Sequence, residues 1–303
     1  MECTTFTNAA SRPRLRDVIG QAALIFARAG SESPRLDAEV LLAHALALTR
    51  EQLILMADLP LGAEQTERFE SFLARRLNRE PVAYIIGQQE FWSLDFRVTR
   101  DVLIPRPETE RLIEVVLQLA AQLSSNQPLR VLDIGTGSGA IAVSVAKELP
   151  SARIYATDIS PSALAIARQN AELNGVDARI TFRYGDLFAP LTDQIASFDM
   201  IVSNPPYIRR AEIVTLTPEV CRWEPRTALD GGADGLDFYR RIAAQAGRFL
   251  APNGAIALEI GANMGAEVLP ILMQAGFNRD VNIVRDYAER DRVAVARVAT
   301  DAT

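Results

Sequence analysis

The segment Asn204-Pro205-Pro206-Tyr207 combines residue types that could hold a planar nitrogen group in one orientation. The Asn side chain offers a hydrogen-bond acceptor and two donors, each Pro fixes φ and lacks an N–H, and the Tyr provides an aromatic face. The segment directly follows the apolar run at residues 200–202, so we expect it at the end of a buried strand. Such a rigid pocket suits methyl transfer to nitrogen.

The chemistry expected of this pocket is mainly orientation. Amide and exocyclic amino nitrogens are poor nucleophiles because their lone pair is delocalised. If the Asn204 side-chain oxygen and the Pro205 carbonyl both accept hydrogen bonds from one NH₂ group, they direct its lone pair at a methyl carbon. Tyr207 would then stack on the planar substrate. Little acid–base machinery is required, in keeping with a single histidine, His44, which we interpret as a surface or core residue.

A glycine-rich loop, Gly135-Thr136-Gly137-Ser138-Gly139, follows the apolar run at residues 131–134. Glycines let the backbone turn sharply and approach a ligand closely, which predicts a nucleotide-like cofactor here. The spacing is G-x-G-x-G, unlike the dinucleotide fingerprint G-x-G-x-x-G, and the preceding Asp133 would sit poorly beside a pyrophosphate. S-adenosylmethionine carries a cationic sulfonium and ammonium, which tolerate a nearby carboxylate, so it is the cofactor that we expect.

Two further acidic residues follow the next predicted strands. Asp158 ends the second strand, where its carboxylate can accept hydrogen bonds from both hydroxyls of a ribose. Asp186 follows the third strand and is positioned to reach an adenine amino group, with Leu187 against the ring. Together with the glycine loop, these residues predict a complete cofactor site.

The elements that would position these residues alternate between strand and helix from Arg130 onward, which predicts a doubly wound parallel α/β sheet. Two last strand candidates, at 282–284 and 293–296, are expected to form an antiparallel hairpin at the edge of the sheet. The other predicted strands cover residues 131–134, 154–157, 180–182, 200–202 and 255–258.

The chain before this sheet divides into two segments. Apolar residues recur at helical spacing between residues 14 and 84, which predicts a small N-terminal helical bundle over residues 1–84. Residues 91–98 alternate like a strand, and residues 85–87 could pair with them, so residues 85–104 are interpreted as a β-hairpin linker. The catalytic domain then covers residues 105–303 and begins with an amphipathic helix over residues 108–123.

Several residues near these segments keep two readings. Phe91 and Trp92 either seal a hydrophobic core between the domains or line the mouth of the cofactor site. Arg106, between two prolines, either gates the substrate entrance or pairs with an acidic neighbour. Glu224 and Arg226 could brace the loop after the pocket rather than contact substrate.

Composition narrows the class of protein. The 303 residues carry a net charge of −6, which argues against affinity that depends mainly on nucleic-acid phosphates. Only two cysteines occur, Cys3 and Cys221, and no Cys/His cluster has zinc-ligand spacing. No apolar run reaches the roughly 20 residues that span a bilayer. These features predict a cytoplasmic protein without a metal, a membrane span or direct nucleic-acid binding. We also expect it to act as a monomer, although its residue pattern does not determine the oligomeric state.

Five motifs occur between the N-terminal helices and the end of the chain: REPVAY at 79–84, FWSLDF at 91–96, LIPRPETE at 103–110, LDIGTGSG at 132–139 and WEP at 223–225. With these motifs the chain resembles the N5-glutamine methyltransferases that modify peptide chain release factors. The resemblance covers residues 76–297. Residues 104–109 and 286–293 are more similar to this branch than to a related branch that methylates a glutamine of a ribosomal protein.

The resemblance implies a helical domain that docks class-one release factors and a class I, Rossmann-like methyltransferase domain. It implies that the loop from Gly135 to Gly139, with Asp158, Asp186 or Leu187, and Asn204, holds S-adenosylmethionine. It also implies that residues 204–207 hold the glutamine of the Gly-Gly-Gln motif. Two other classes stay open: an adenine-N6 methyltransferase, whose pocket would clasp a flipped base, and a binding module without catalysis.

Overall fold

The structure is a computed structural model that describes residues 12–123 and 127–298. Cys3 and residues 1–11 of the predicted N-terminal domain lie outside the described residues, as do residues 299–303 of the predicted catalytic domain. The chain forms two compact units. The first contains the residues up to Gly87 together with Thr217–Trp223, and the second contains Gln88–Leu216 and the residues from Glu224 onward.

The first unit is helical, as the apolar spacing predicts. In its first helix the residues Leu15, Val18, Ala22 and Phe26 are buried on one face, at the spacing of a 3.6-residue turn. The third helix begins at a capping box, in which Thr49 and Gln52 satisfy each other's backbone N–H groups. The helices of this region are α1 Leu15–Arg28, α2 Pro34–Leu46, α3 Arg50–Leu55, α4 Ala63–Leu77 and α5 Val82–Ile86.

A short helix from much later in the chain, Pro218–Trp223, also belongs to the first unit. Its Glu219 carboxylate accepts hydrogen bonds from Arg76 at 2.8 Å and from Arg79 at 2.7 Å through each oxygen. Arg76 is buried and also donates to Asp37 at 2.8 Å. These ion pairs join residues about 140 positions apart, which the local sequence pattern did not predict.

The hairpin after the helices differs from the prediction. Its strands are β1 Gln88–Phe91 and β2 Leu94–Arg97, and Trp92 and Ser93 turn between them at φ of 53° and 55°. The prediction that residues 85–87 form one arm is wrong, because Ile85 and Ile86 lie in α5. Ile85 is buried in the helical core, and Gly87 ends the helix at a φ of 76°.

The second unit contains a seven-stranded sheet in the order β5-β4-β3-β6-β7-β9-β8. Neighbouring strands run parallel from β5 to β7, whereas β9 is antiparallel to both β7 and β8. The doubly wound sheet and its antiparallel edge hairpin are therefore confirmed. The strands are β3 Arg130–Ile134, β4 Arg153–Asp158, β5 Ile180–Tyr184, β6 Phe198–Ser203, β7 Leu250–Glu259, β8 Arg279–Arg285 and β9 Asp291–Arg297.

Helices cover both faces of this sheet. The first helix of the second unit begins at Glu110, after a single 3₁₀ turn at Pro107–Thr109. This start is two residues later than predicted. Its apolar side and those of α7 and α8 pack on one face, and α10 and α11 pack on the other. The helices that follow α5 are α6 Glu110–Gln122, α7 Ala140–Glu148, α8 Pro161–Leu173, α9 Pro218–Trp223 (the helix of the first unit), α10 Asp237–Ala246 and α11 Gly265–Gln274.

The parallel register decides which strand residues face which helices. Because side chains alternate along a strand, each row across the sheet belongs to one core. The row of Val131, Met200 and Ala255 packs with α6 and α7, and the next row, Leu132, Ile201 and Ile256, packs with α10 and α11. Both faces are apolar, so these strands are fully buried and their carboxyl ends are held at one edge.

Candidate active site

A cavity of about 720 Å³ lies at the carboxyl ends of the parallel strands, within the second unit. It includes most of the predicted site residues. Those that line it are Gly135, Gly137, Asp158, Asp186, Leu187, Asn204, Pro205 and Pro206. Four other predicted residues, Thr136, Ser138, Gly139 and Tyr207, are not among the described residues that line it.

The glycine loop turns tightly between β3 and α7. The backbone N–H groups of Gly135 and Thr136 both donate to the carbonyl of Thr157, which ties the loop to β4. Gly139 has a φ of 83°, and a Cβ built there would lie 3.1 Å from the Cβ of Ala167 in α8. This glycine therefore allows close helix packing, whereas Gly135 and Gly137 face the cavity.

Asp133, two residues before the first glycine of the loop, is completely buried. Its Oδ2 accepts a hydrogen bond from the Thr136 hydroxyl at 2.6 Å, and its Oδ1 has no partner among the described residues. Burial raises the pKa of this carboxyl to about 7, although the Thr136 bond opposes the shift. A buried carboxylate with one unsatisfied oxygen favours a positive charge nearby, as a sulfonium cofactor would provide.

Asp158 ends β4 and lines the cavity. Its two oxygens accept backbone hydrogen bonds from Gly137 and Ser160, each at 2.8 Å. Burial raises its pKa, and these backbone bonds oppose the shift. Because a carboxylate oxygen can accept more than one hydrogen bond, both oxygens keep capacity for ribose hydroxyls. The contact of this carboxylate with a ribose stays a prediction.

Asp186 and Leu187 come directly after β5 and also line the cavity. The Asp186 carboxylate is about half exposed and pairs with Arg241 of α10. Leu187 is buried and lies at a φ of 49°. The contacts of these two residues with adenine stay predictions, and Arg241 is a neighbour that the sequence did not indicate.

The Asn204-Pro205-Pro206 segment leaves the end of β6 next to the glycine loop. The Ser203 hydroxyl donates to the carbonyl of Ile134 at 2.6 Å, which ties the ends of β6 and β3 together. The Asn204 Nδ2 donates to the Thr109 hydroxyl at 3.1 Å. The pocket and the loop therefore share one cavity.

Tyr207 packs against the core beneath α10 and α11, and burial raises its pKa to about 12. Its stacking on a substrate stays a prediction. The loop at residues 229–232 supports this part of the chain: Ile208 donates to Leu229, and Gly231 donates back to Ile208. A Cβ at Gly231 would lie 2.7 Å from the Cα of Tyr207, so only glycine lets the two backbones approach this closely.

Two residues behind Asn204 were not predicted as site residues. Thr109 ends the 3₁₀ turn before α6, and Glu259 is the last residue of β7. Both are buried. Burial raises the pKa of the Glu259 carboxyl to about 7, and the polar side chains of Thr109 and Asn204 oppose this shift. The sequence did contain a signal for Glu259, because an acidic residue at the end of an apolar strand is the same pattern that indicated Asp158.

Most of the residues that had two interpretations make structural contacts within the protein. Arg106 donates to both oxygens of the buried Glu224 at 2.7 Å, so it pairs with an acidic neighbour. Phe91 is buried in the core beside α6 and α7. The Trp92 indole donates to Glu148 at 2.8 Å. By contrast, Arg226 lines the cavity.

The cavity residues fit S-adenosylmethionine. The volume falls within the roughly 300–1,000 Å³ typical of small-molecule sites. Asp158 offers acceptors for a ribose, and the unsatisfied Asp133 oxygen favours a cation near the loop. Among the described residues, no group of three or more His, Cys, Asp or Glu could hold a metal ion. The described helices include none that is long and apolar enough to cross a membrane.

A seven-stranded sheet with one reversed strand, carrying a glycine loop and acidic strand ends at its carboxyl edge, defines a class I methyltransferase that uses S-adenosylmethionine. The methyltransferase small domain family matches residues 116–220, and the PrmC N-terminal domain family matches residues 17–87. The chain belongs to the release factor glutamine methyltransferase family, as its relatives show.

Two relatives named release factor glutamine methyltransferase match almost the whole chain. The protein from Moorella thermoacetica is 46% identical over 282 residues, which cover 93% of this chain and 98% of that protein. The protein from Geobacter sulfurreducens is 45% identical over 284 residues, which cover 94% of this chain and 96% of that protein. At this identity and coverage, the family assignment applies to both units.

Solved structures share the fold. The hMettl16 catalytic domain, in complex with MAT2A 3'UTR hairpin 6, aligns with a TM-score of 0.55 and 19% identity over 77% of this chain and 84% of that chain. A methyltransferase from Pyrococcus furiosus aligns with a TM-score of 0.50 and 18% identity over 75% of this chain and 98% of that chain.

Proposed function

We propose that this protein transfers the methyl group of S-adenosylmethionine to the side-chain amide nitrogen of a glutamine, the last residue of the Gly-Gly-Gln motif of peptide chain release factors. Relatives that carry the name release factor glutamine methyltransferase match 93% or more of the chain at about 45% identity. The activity follows from that family and from the chemistry of the Asn204 pocket.

One observation carries the choice of an amide substrate. The Asn204 Nδ2 already donates to Thr109, so its Oδ1 is the atom left to accept a hydrogen bond from a substrate NH₂ group. Pro205 and Pro206 stiffen the backbone beside it and line the same cavity as Asp158. An acceptor on a rigid wall, next to a cofactor site, suits an amide nitrogen.

Methyl transfer to the glutamine depends more on the orientation of its amide nitrogen than on proton transfer by the protein. When bound, S-adenosylmethionine supplies an electrophilic methyl carbon on a sulfonium and leaves as the neutral thioether S-adenosylhomocysteine. Asn204 Oδ1 and the Pro205 carbonyl accept the two N–H groups of the glutamine amide and aim its lone pair at that carbon. The nitrogen gains the N–C bond while the S–C bond breaks, and the methylated amide loses one proton to water.

The remaining parts of the proposal concern partners and location. The helical unit docks class-one release factors, the hairpin region links it to the catalytic unit, and the enzyme acts as a monomer in the cytoplasm. It binds neither nucleic acid nor membrane directly. The net charge of −6 supports the first of these exclusions, because phosphate binding requires an excess of Lys and Arg.

Mass spectrometry tests the substrate. Purified release factor is incubated with S-adenosylmethionine and this protein, and the peptide that contains Gly-Gly-Gln is compared before and after. The expected result is a gain of about 14 Da on the glutamine alone, the mass of one CH₂ delivered to the oriented nitrogen. A release factor lacking that glutamine is the control. Methyl incorporation only into DNA, RNA or a ribosomal protein, tested in parallel, would refute the assignment.

A further inference from the structure

The side chain of Asn204 has two possible orientations that differ in chemistry. Its amide can present either the oxygen or the NH₂ group to the cavity, because the two ends have nearly the same shape. Only the orientation with Oδ1 toward the cavity can accept a hydrogen bond from a substrate amide. Something on the protein side must therefore favour that orientation.

The buried neighbours of Asn204 are arranged to do this. Ser203 pairs with Leu258 in the parallel register of β6 and β7. Asn204 and Glu259, the next residue in each case, therefore lie side by side at the ends of these neighbouring strands. Glu259 is about 1% exposed, and the polar side chains of Asn204 and Thr109 act to lower the pKa of its carboxyl, as neighbouring hydrogen-bonding groups do. Thr109 in turn accepts from the Asn204 Nδ2 at 3.1 Å. These three side chains therefore lie together as one polar cluster at the ends of β6 and β7.

The backbone of Glu259 is also fixed. The Tyr239 hydroxyl donates to the Glu259 carbonyl at 2.8 Å, and Glu259 pairs with Val293 across β7 and β9. The Glu259 Oε2 has no partner among the described residues. A buried carboxylate with an unpartnered oxygen is costly to keep, since an ionised carboxyl loses favourable solvation when it is removed from water.

We propose that Glu259 is a positioning residue for the amide methylation proposed above: its carboxylate and the Thr109 hydroxyl accept the two N–H groups of Asn204 and hold its Oδ1 toward the substrate. The inference rests on the proposed function. An ionised carboxylate accepts hydrogen bonds and donates none, so the reversed amide would place two oxygens against each other. The same negative charge makes Oδ1 a stronger acceptor for the glutamine NH₂ group.

The charges around Glu259 set when it is ionised. Arg292 of β9 favours the charged form, whereas Glu108 in the turn before α6 opposes it. Tyr207 and Tyr239, which pack nearby, both have raised pKa values and stay neutral. With burial as the largest cause, the pKa of Glu259 is raised to about 7. A protonated Glu259 carboxyl can donate a hydrogen bond as well as accept one, so it can pair with either end of the Asn204 amide. The fixed orientation of the Asn204 side chain is therefore lost as the pH falls through this value.

The principal test is Glu259→Gln, which keeps the size of the side chain and adds a donor. We expect kcat for release-factor methylation to fall at least about tenfold, because a reactive nitrogen that is misoriented loses most of the benefit of proximity. The dissociation constant of S-adenosylmethionine should change less than about twofold, since Glu259 is not among the described residues that line the cavity. Asp199→Asn is the matched control. Asp199 accepts a hydrogen bond from the Arg130 backbone N–H at the opposite end of β6, and the kcat of this variant should be unchanged.

A pH profile separates positioning from a merely structural role. In the wild-type protein kcat should rise as the pH increases through about 7, where Glu259 ionises. Glu259→Gln should remove this limb of the profile. Thr109→Val removes a polar side chain that lowers the pKa of Glu259, so the limb should move to higher pH. The combined variant should lose less than the product of the two single losses, because both act through Asn204.

A second measurement needs no substrate. The side-chain NH₂ resonances of Asn204, assigned by comparison with Asn204→Ala, should shift with pH through about 7 in the wild-type protein and not in Glu259→Gln. The inference would be overturned if Glu259→Gln kept the wild-type kcat. It would also be overturned if the Asn204 resonances had the same pH dependence in the wild-type protein and in Glu259→Gln. If the wild-type protein leaves the release-factor glutamine unmethylated while the resonances behave as described, the proposed function fails instead.

Discussion

The buried carboxyl of Asp133 makes the stability of this protein depend on pH in an unusual direction. Its pKa is raised from 3.8 to about 7 by complete burial before the glycine loop. A carboxyl with a raised pKa stabilises the folded protein while it is protonated. This contribution is fully present below about pH 4 and is lost as the pH rises through about 7.

The substitution Asp133→Asn removes the titration and nearly preserves the shape. At pH 5 the folded carboxyl is about two pH units below its pKa, and each unit corresponds to about 1.36 kcal/mol, so protonation contributes roughly 2.7 kcal/mol. At pH 8 the contribution is close to zero. The free energy of unfolding of the wild-type protein, minus that of the variant, should therefore fall by about 2.7 kcal/mol between pH 5 and pH 8.

Urea denaturation without cofactor at several pH values measures this difference. Asp234→Asn is a suitable control, because the exposed Asp234 carboxyl has a pKa lowered to about 2 by Arg240, so its protonation state does not change above pH 5. Glu259 also titrates near pH 7, but it is present in all three proteins and cancels in the difference. Parallel stability curves for the wild-type protein and Asp133→Asn would refute the argument.

Three further substitutions test the site. Asn204→Ala should lower kcat by about 10²–10³-fold, as for other lost transition-state hydrogen bonds, with nearly unchanged cofactor affinity by calorimetry. Asp158→Ala should weaken S-adenosylmethionine binding by about 10–100-fold in the same assay, because a charged acceptor is lost; unchanged binding would contradict the ribose role. Gly231→Ala places a Cβ 2.7 Å from the Tyr207 Cα, so kcat should fall while cofactor binding persists; normal turnover would show that the loop does not support the pocket.

Local patterns were sufficient for most elements of the fold. The buried positions of α1 follow a 3.6-residue period, and the strand cores between residues 131 and 258 are short, mostly apolar runs, so each could be predicted without tertiary information. Residues 85–87 were misread because two consecutive Ile side chains suit either a strand or a buried helix. Burial of Ile85 in the helical core decided for the helix.

The segment Thr217–Trp223 illustrates the opposite case. Nothing in its local sequence indicates that it belongs with the first unit, because the decisive contacts are the ion pairs of Glu219 with Arg76 and Arg79. Their chemistry is readable in the sequence, but their pairing depends on packing between residues about 140 positions apart. Long-range pairing of this kind leaves no periodic signal.

The sequence by itself determined the residue types at the strand ends: the glycine loop, Asp158 and the rigid Asn204 segment, because each follows an apolar run whose carboxyl end must lie at one edge of a parallel sheet. Only the tertiary structure decided which way Asn204 is held. Thr109 lies 95 positions earlier in the chain, and Glu259 is its neighbour only through the pairing of β6 with β7. Hydrogen-bond partners depend on distances in space, and periodicity along the chain does not specify them.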